Sequence, residues 1–407
     1  MIGELRELAA RTSTSAGAQR VAWGPAWREA RAWFAAKVAA IGLRVEPDAA
    51  GNNWVTLPGA SPRTVIVGSH LDSVPNGGWL DGPLGLLAAL EALRTRAGSV
   101  PPVTLKLVDW ADEEGRFGLS LLGSSAAAGR LNLDEARRAA DRHGTRLVDA
   151  LAENGVLLDL ALDAHRELRA LDARAYLELH IEQGPVLESL KRPVGVVVGT
   201  FGVERHLLRF TGQAAHSGST PITLRHDAFL AAAQTAVECR AIAARHSTPE
   251  VGVVCTVGAV TVEPNIPTAV PGRCEIALDQ RALDAGVLAR MLEEARDASA
   301  RFAREHGVTV EWQTLWRIEP RLFDPALVRL AGEAVREETG DAPRLPSGPV
   351  HDATEMVPHM PVVMLFACSP NGLSHCKEED TPEPQLQQAI RAYLRLVEKT
   401  IAHVAAR

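Results

Sequence analysis

Residues 65–93 read VIVGSHLDSVPNGGWLDGPLGLLAALEAL, and this stretch decides the fold. It starts with a β-rich apolar run, residues 65–68, and ends with the apolar pattern of a helix, residues 84–93. A second apolar run follows at residues 103–108, so the chain predicts a β-α-β unit. Such units build mainly parallel sheets, in which functional groups collect in the loops that follow the strands.

The sequence around this unit predicts an α/β protein with an insertion. An amphipathic helix is predicted at 25–43, and from residue 203 the order becomes β-α-β-β-α-β, which is the ferredoxin-like arrangement. We therefore predict a catalytic domain with a mainly parallel mixed sheet, made from residues 1–199 and 315–407, and a smaller inserted domain at 200–314. The later predicted elements are strand 203–212, helix 227–245, strands 251–260 and 273–278, helix 285–306, strand 308–312, helix 325–338, strand 362–367 and helix 384–402.

The composition is that of an ordinary globular chain. Of the 407 residues, 46% are hydrophobic and 23% are charged, which argues against disorder and low-complexity scaffolds. The net charge of −7 argues against a general nucleic-acid binder, because binding phosphates needs a basic surface. No apolar run of roughly eighteen residues occurs. The N-terminal segment carries Glu4, Arg6 and Glu7 where a signal peptide would be apolar, so we expect a cytoplasmic protein.

Histidines and carboxylates follow the predicted strands. The five cysteines form no C-x-x-C pair, so any metal must be held by other side chains. His70 directly follows an apolar strand, and Asp81 follows it in the same loop. An imidazole and a carboxylate suit zinc, manganese, cobalt or nickel, and Asp72 could accept the second N–H of the His70 ring. The alternative is a surface loop with a chance histidine and ordinary turn aspartates.

Three further clusters have the same position relative to a strand. Asp112, Glu113 and Glu114 follow the apolar run 105–110. Three adjacent carboxylates repel one another, so such a run is more often a solvated turn. A nearby dication would offset this repulsion. Alternation along 178–182 places Glu178, His180 and Glu182 on one face of a strand. His375 follows the apolar strand 362–367, where a lone histidine is usually structural.

Taken together, these clusters predict a two-metal centre. His70, Asp81, Glu114, His180 and His375 supply five ligands from four strand ends. If Asp81 bridges, each ion has three protein ligands and an open position for a shared water, which is the pattern of a two-metal hydrolase. A second glutamate beside the ligand, Glu113, would then face that water as general base.

The same residues resemble a known family. The motifs Gly-Ser-His70-Leu-Asp72-Ser-Val-Pro, Glu113-Glu114-Gly-x-Phe, Leu-His180-Ile-Glu-Gln183-Gly-Pro, Ala-His216-Ser-Gly and Gly-Leu-Ser-His375 resemble the hydantoinase/carbamoylase family of dinuclear amidohydrolases. That family lies within the dimetal aminoacylase/carboxypeptidase-type metallopeptidases and includes N-carbamoyl-L-amino-acid hydrolases and allantoate amidohydrolases. The resemblance runs in order from about Trp23 to the end of the chain.

The resemblance implies a role for each matching residue. His70, Asp81, Glu114, His180 and His375 correspond to the metal ligands, with Asp81 bridging two divalent ions, and Glu113 corresponds to the general base. It also implies that the inserted domain serves as dimerisation and lid domain, and that His216 reaches the active site of the other subunit of a homodimer to stabilise the oxyanion. Gln183 and Arg281 correspond to substrate contacts, and a planar guanidinium suits a carboxylate.

Two departures from the family pattern fall on substrate positioning. Thr268 stands where the family usually has asparagine, and Asn265 is three residues too early to replace it. Pro349 and Val350 stand where the family has small residues, and they remove an N–H and add bulk.

The chemistry implied is hydrolysis of a linear C–N amide of an N-carbamoyl (ureido) amino acid, with release of amine, carbon dioxide and ammonia. Glu113 would assist the attack of a water that bridges the two ions. The alternative substrates are allantoate, ureidoglycolate or another N-acyl amino acid. A non-catalytic binding protein would require the loss of a ligand or of the base, and all six residues are present.

Overall fold

The computed structural model describes residues 1–248 and 252–407. The chain divides into two compact units. The large unit comprises Met1–Val198, Phe323–Leu345 and Val350–Arg407, and the small unit comprises Gly199–Leu322 and Pro346–Pro349. The assignment of catalytic and dimerisation domains to residues 1–199 with 315–407 and to 200–314 stays a prediction.

The helices and strands follow one another along both units. The helices are α1 (Ile2–Thr12), α2 (Pro25–Ala39), α3 (Pro83–Arg94), α4 (Leu122–Ala127), α5 (Leu133–Arg138), α6 (Leu147–Glu153), α7 (Asp163–Ala170), α8 (Val186–Ser189), α9 (Ala228–His246), α10 (Ala285–Glu305), α11 (Pro325–Thr339), α12 (Asp352–Met356) and α13 (Glu383–Ala405). The strands are β1 (Ser13–Thr14), β2 (Gly17–Ala18), β3 (Val45–Pro47), β4 (Asn53–Leu57), β5 (Arg63–His70), β6 (Thr104–Trp110), β7 (Asp172–Ile181), β8 (Val194–Thr200), β9 (Gly202–Thr211), β10 (Ala215–His216), β11 (Val254–Glu263), β12 (Ala269–Val270), β13 (Arg273–Ala282), β14 (Thr309–Ile318), β15 (Arg321–Leu322), β16 (Arg344–Ser347) and β17 (Val362–Ala367). No helix in these described parts is long and apolar enough to cross a membrane.

The sheet of the large unit is mixed, with a parallel centre. Its strands lie in the order β8-β17-β7-β5-β6-β4-β3. The pairs β17–β7, β7–β5 and β5–β6 are parallel, as the β-α-β pattern predicts. The outer pairs are antiparallel, and for β3 and β4 the reason is the short turn between them, which cannot carry a crossover.

The central strands are buried on both faces. Every residue of β17 is buried, and so is every residue of β5 after Arg63. Strands covered on both faces read as continuous apolar runs rather than as alternating ones. This explains why residues 65–68 and 362–367 stand out in the sequence.

Helix α3 lies very close to this sheet. It begins at Pro83, a residue that suits the first helical turn, and nearly all of its residues are buried. A Cβ at Gly85 would lie 2.0 Å from the carbonyl oxygen of Leu179 on β7, so only glycine fits there. The close approach fixes the loop between β5 and α3, because both of its ends are held against the sheet.

The four central strands end at one edge of the sheet. In their spatial order, β17 ends at Ala367, β7 at Ile181, β5 at His70 and β6 at Trp110. Since the four strands are parallel, the loops that follow them start side by side. The predicted ligands lie at these ends or in these loops.

The small unit has the predicted ferredoxin-like order. Its main sheet runs β11-β13-β9-β14 with antiparallel pairs throughout, and its core is formed by buried residues of β9, β13, α9 and α10. The predicted strand 251–260 begins at Val251, which lies outside the described residues; the described strand is Val254–Glu263. Strand β15 pairs with Thr200 and Gly199 within the same unit.

Candidate metal centre

Two groups of metal-ligating side chains meet at Asp81. His70, Asp81 and His180 form the first group, and Asp81, Glu114 and His375 form the second; within each group the ligand atoms lie within 4.8 Å of one another. Asp81 Oδ1 lies 3.1 Å from His180 Nε2 and 3.9 Å from His70 Nε2. Asp81 Oδ2 lies 3.3 Å from His375 Nε2, which is 3.4 Å from Glu114 Oε2. The two oxygens of the Asp81 carboxylate therefore face different groups: Oδ1 faces the first group and Oδ2 faces the second.

The backbone conformation at the strand ends sets these positions. His70 is the last residue of β5, and His180 lies one residue before the end of β7. His375 adopts a φ of 57°, in the left-handed region, which turns the loop after β17. Gly82 has a φ of 81°, and a Cβ there would lie 2.6 Å from the His70 ring, so this close approach to His70 requires glycine.

Backbone carbonyls orient the two buried imidazoles. His180 Nδ1 lies 2.9 Å from the carbonyl oxygen of Ile181, and His70 Nδ1 lies 3.2 Å from the carbonyl oxygen of Asp72. With the proton on Nδ1, each ring presents the lone pair of Nε2 to the other side. The two Nε2 atoms lie 3.5 Å apart. In this tautomer a single cation between them could bind both lone pairs, and the donor set fits a divalent metal.

The predicted partner of His70, Asp72, contacts it mainly through its backbone. The Asp72 carboxylate lies further from the ring, with Oδ1 3.6 Å from His70 Nδ1. Its other oxygen accepts a hydrogen bond of 3.1 Å from the backbone N–H of Glu114. Asp72 therefore connects the loop after β5 to the loop after β6.

The carboxylates of the centre differ in their electrostatics. Burial raises the pKa of Asp81, but hydrogen bonds with His180 and His375 outweigh it and hold that pKa well below its usual range. Burial and the neighbouring Asp81 raise the pKa of Glu114 to about 7. Hydrogen bonding to Asp81 raises the pKa of His375 to about 9. Negative charge is thus concentrated on Asp81, between the two groups.

Glu113 lies beside the two groups without belonging to either. It is buried, and its Oε2 lies 4.0 Å from His70 Nε2. Burial raises the pKa of Glu113 well above its usual range, and the nearby Glu114 carboxylate adds to this effect. A carboxylate whose pKa lies above its ordinary value is a stronger base, so it is better suited to accept a proton from water.

Gln183 lies at the edge of the second group. Its Nε2 is 2.9 Å from Asp81 Oδ2, 3.1 Å from Ser374 Oγ and 3.2 Å from His375 Nε2. Val350 also belongs to the large unit, where it directly precedes His351. The ring of His351 packs on that of His180 with a centroid distance of 4.4 Å.

The other predicted site residues belong to the small unit. His216 and Thr268 are brought together, since the N–H of Ser217 donates to the Thr268 carbonyl at 2.9 Å. The Nδ1 atom of His216 accepts from the backbone N–H groups of residues 218 and 219, at 3.1 and 3.2 Å, which leaves Nε2 to carry the proton. Arg281 donates to Asp279 through Nε at 2.8 Å and to the Gly348 carbonyl at 3.1 Å.

Sequence reasoning missed Glu379. Its Oε1 accepts the backbone N–H groups of Leu80 and Asp81, both at 3.0 Å, and its Oε2 accepts from Ser374 at 3.2 Å. Burial and the Asp81 charge raise the pKa of Glu379 to about 7. It lies in a run of three acidic residues, 378–380, which reads as a solvated turn.

Arg20 was also missed. Its fully buried guanidinium donates to the carbonyl oxygens of Leu71, at 2.9 Å, and Gly78, at 3.3 Å. Burial lowers the pKa of Arg20 to about 10. It ties down both ends of the loop between His70 and Asp81, and a single arginine far upstream gives no signal of this contact in the sequence.

A buried chain of hydrogen bonds joins residues that are close in the sequence to His70 and His180. Trp110 Nε1 donates to Tyr176 Oη at 3.0 Å, and Tyr176 donates to Glu178 at 3.1 Å. Ser69 Oγ donates to the other oxygen of Glu178 at 2.9 Å.

The alternating pattern predicted that Glu182 lies on the same strand face as Glu178. Strand β7 ends before Glu182, and this carboxylate instead accepts the backbone N–H groups of residues 186 and 187 at the start of α8.

Comparison with known proteins agrees with this architecture. Residues 66–399 match the model of peptidase family M20/M25/M40. The chain is 37% identical to an N-carbamoyl-L-amino acid amidohydrolase of Geobacillus stearothermophilus, covering 90% of this chain and 89% of that protein. It is 33% identical to the allantoate amidohydrolase of Escherichia coli K12, covering 92% and 91%.

Solved structures give the same result. A hydantoinase/carbamoylase family amidase of Burkholderia multivorans superimposes with a TM-score of 0.86 at 30% identity, covering all of this chain and 97% of the other. A second amidase of this kind, from Burkholderia ambifaria, gives a TM-score of 0.86 at 33% identity, covering 98% and 96%. The resemblance seen in the sequence motifs is confirmed: the chain belongs to peptidase family M20/M25/M40, in its hydantoinase/carbamoylase group.

Proposed function

We propose that the protein is a divalent-metal-dependent amidohydrolase that cleaves a linear C–N amide bond of an N-carbamoyl (ureido) amino acid. The products are the amine, carbon dioxide and ammonia. The observation that carries this proposal is the Asp81 carboxylate, whose two oxygens face two ligand groups, with Glu113 buried beside them. The Geobacillus stearothermophilus relative, named for the same reaction, supports the substrate class.

The ligand set fits two divalent ions. His70, Asp81 and His180 would hold one, and Asp81, Glu114 and His375 the other. Mixed histidine and carboxylate ligands suit zinc, manganese, cobalt or nickel. When bound, the ions supply Lewis acidity, which polarises the carbamoyl carbonyl and makes water a nucleophile near neutral pH.

The protein's own residues move the proton and bind the substrate. Glu113 takes a proton from the attacking water and returns it to the departing nitrogen, so the carboxylate is regenerated in each turnover. Gln183, at the edge of the second group, donates a hydrogen bond to the substrate. His216, whose Nε2 carries a proton, stabilises the oxyanion from the other subunit of a homodimer. Arg281 binds the substrate carboxylate, and Thr268 and Val350 shape the site around it.

A second substrate is allantoate. The Escherichia coli relative is named as an allantoate amidohydrolase and is nearly as similar to this chain. Allantoate and the N-carbamoyl amino acids both place a ureido group beside a carboxylate, so one metal centre serves either. The replaced residues at 268, 349 and 350 would decide between them through the shape of the pocket.

The test is ammonia release from a panel of substrates. The protein is dialysed against a chelator, each metal is added back, and N-carbamoyl-L- and D-amino acids, N-carbamoyl-β-alanine, allantoate and ureidoglycolate are compared. Metal-dependent ammonia release from one ureido acid would establish both the reaction and the substrate. A panel without any ammonia release, from protein shown to hold its metal, would refute the proposal.

Two glutamate variants separate the base from the ligand. Glu113→Gln should lower kcat by about 10² to 10⁴ while the metal content stays at the parent value. Glu114→Gln should instead lower the number of ions bound. Glu182→Gln is the matched control, because this glutamate caps α8 and touches neither ligand group. Full turnover by Glu113→Gln would show that another group is the base.

A further inference from the structure

A cavity of about 460 Å³ lies in the large unit beside the metal ligands. Four segments line it, residues 19–25, 72–75, 112–116 and 141–143, and we call it the Val21 cavity. Its volume is in the range of small-molecule sites. The role inferred below rests on the proposed function, since it concerns which ureido acid the enzyme binds.

The Val21 cavity borders the second ligand group directly. Glu114 lines it, and the same carboxylate has Oε2 3.4 Å from His375 Nε2. The other oxygen of Glu114 accepts the backbone N–H of Val74, which also lines the cavity, at 3.3 Å. A ligand whose ureido group lies at the metal centre can therefore extend into this space.

One side of the cavity is apolar. It is formed by residues of the N-terminal segment and of the loop after β5, namely Val21, Ala22, Pro25, Val74 and Pro75. Ser73 also lines the cavity; its side chain is buried, and its hydroxyl has no hydrogen-bond partner within the described residues. An apolar side chain that enters this space would bury its surface without displacing a protein contact.

On the other side Arg116, Asp141 and Asp112 are already paired, and Arg142 donates to His143 through Nε at 3.1 Å. Arg116 donates to Asp141 through Nε, at 3.0 Å, and Nη2, at 2.8 Å, and to the Ala22 carbonyl through Nη1, at 2.9 Å. Asp112 accepts from Trp23 Nε1 at 3.1 Å and from the N–H of Arg116 at 2.9 Å. These bonds hold the N-terminal segment against the loop after β6, so the cavity is preformed, and the charges of Arg116 and Asp141 offset each other.

We propose that the Val21 cavity receives the side chain of the ureido acid and selects substrates with a large, mainly apolar side chain, such as an aromatic one. Three features support this role: the position of the cavity beside Glu114, its apolar side, and the pairing of Arg116 with Asp141. Val21 and Val74 are then specificity-determining residues. Neither side chain belongs to the two ligand groups, so each can be changed without replacing a ligand.

The test compares two substrates in the full-length, metal-loaded protein. Val21→Trp should lower kcat/KM for N-carbamoyl-L-phenylalanine by about 10- to 200-fold, while kcat/KM for N-carbamoylglycine changes by less than about threefold. Val74→Phe, from a second segment of the lining, should act in the same direction. Val100→Trp, the same kind of replacement at an exposed residue that does not line the cavity, is the control and should leave the ratio between the two substrates unchanged. Metal content is measured for every variant.

The outcomes separate this inference from the proposed function. Parent protein that hydrolyses N-carbamoylglycine but not the phenylalanine derivative overturns the inference and leaves the function standing. An equal change for both substrates in Val21→Trp and Val74→Phe, or no change in either variant, also overturns it. Parent protein inactive on all ureido acids refutes the function and this assignment with it.

Discussion

Replacing Glu379 by glutamine should change how the stability of the metal-free protein depends on pH. The pKa of Glu379 is raised from its ordinary value of 4.5 to about 7, first by burial and then by the Asp81 charge. A raised carboxyl pKa means that the folded protein keeps a proton that the unfolded chain has already lost. Glu379 therefore lowers stability progressively as pH rises from about 4.5 to about 7, and has its full unfavourable effect above that range.

The size of the effect follows from the shift. At about 1.4 kcal/mol per pKa unit, the change from 4.5 to about 7 corresponds to about 3 kcal/mol between those pH values. Glutamine keeps an acceptor for the N–H groups of Leu80 and Asp81 but does not ionise. The free energy of unfolding of the variant should thus fall by about 3 kcal/mol less than that of the parent over this range.

Urea unfolding in the presence of a chelator measures this directly at pH 5, 6, 7 and 8. Asp112 and Glu114, whose pKa values are also raised to about 7, are present in both proteins, so their own contributions largely cancel in the difference between the curves. Glu378→Gln is the matched control, because this neighbour is exposed, and its curve should follow the parent. Parallel curves for Glu379→Gln and the parent would refute the reasoning.

Two further substitutions test packing and hydrogen bonding through urea unfolding. Gly85→Ala should destabilise the protein by about 1–3 kcal/mol or more, since the new Cβ would lie 2.0 Å from the Leu179 carbonyl oxygen. Gly332→Ala in α11 is the control. A Cβ there meets nothing within 4 Å, so this variant should be more stable than the parent by about 0.5–1 kcal/mol. A similar loss in both variants would contradict the close approach of α3. Tyr176→Phe should cost about 1–3 kcal/mol, because it leaves a buried tryptophan N–H and a buried glutamate oxygen without partners. Tyr393→Phe, which removes only one bond to a backbone carbonyl, should cost less, and the reverse order would count against the hydrogen-bond chain.

Most of the architecture could be predicted from apolar patterns. Strands buried on both faces, such as β5 and β17, give continuous apolar runs, and the long helix α10 of the small unit gives a clear amphipathic pattern. The short helices α4 to α7 were not predicted, because helices of six to eight residues have too few turns for a periodic pattern. The antiparallel direction of the outer strands β3, β4 and β8 was also not predicted, because strand direction depends on the connections between strands rather than on their composition.

The candidate site was partly predictable for a different reason. The five proposed ligands lie at or after the ends of strands that are adjacent and parallel, and the structure brings them together in two groups. Their roles as ligands, and that of Glu113 as base, stay predictions. Arg20 and Glu379 could not have been found, because their importance comes from burial, and burial of a lone charge is decided by distant parts of the chain. Glu182 was predicted to share a strand face with Glu178, but an alternating pattern places residues on one face only as far as the strand continues, and β7 ends at Ile181.

The position of β17 in the sheet has a consequence for biosynthesis. The first ligand group needs only residues up to His180, whereas the second needs His375, which follows β17 near the end of the chain. As the polypeptide emerges from the ribosome, the first group can assemble while the second is still incomplete. Until β17 inserts between β7 and β8, the outer edge of β7 lacks a partner strand and is open to wrong pairing. The last proposed ligand therefore arrives together with the strand that covers the open edge of β7.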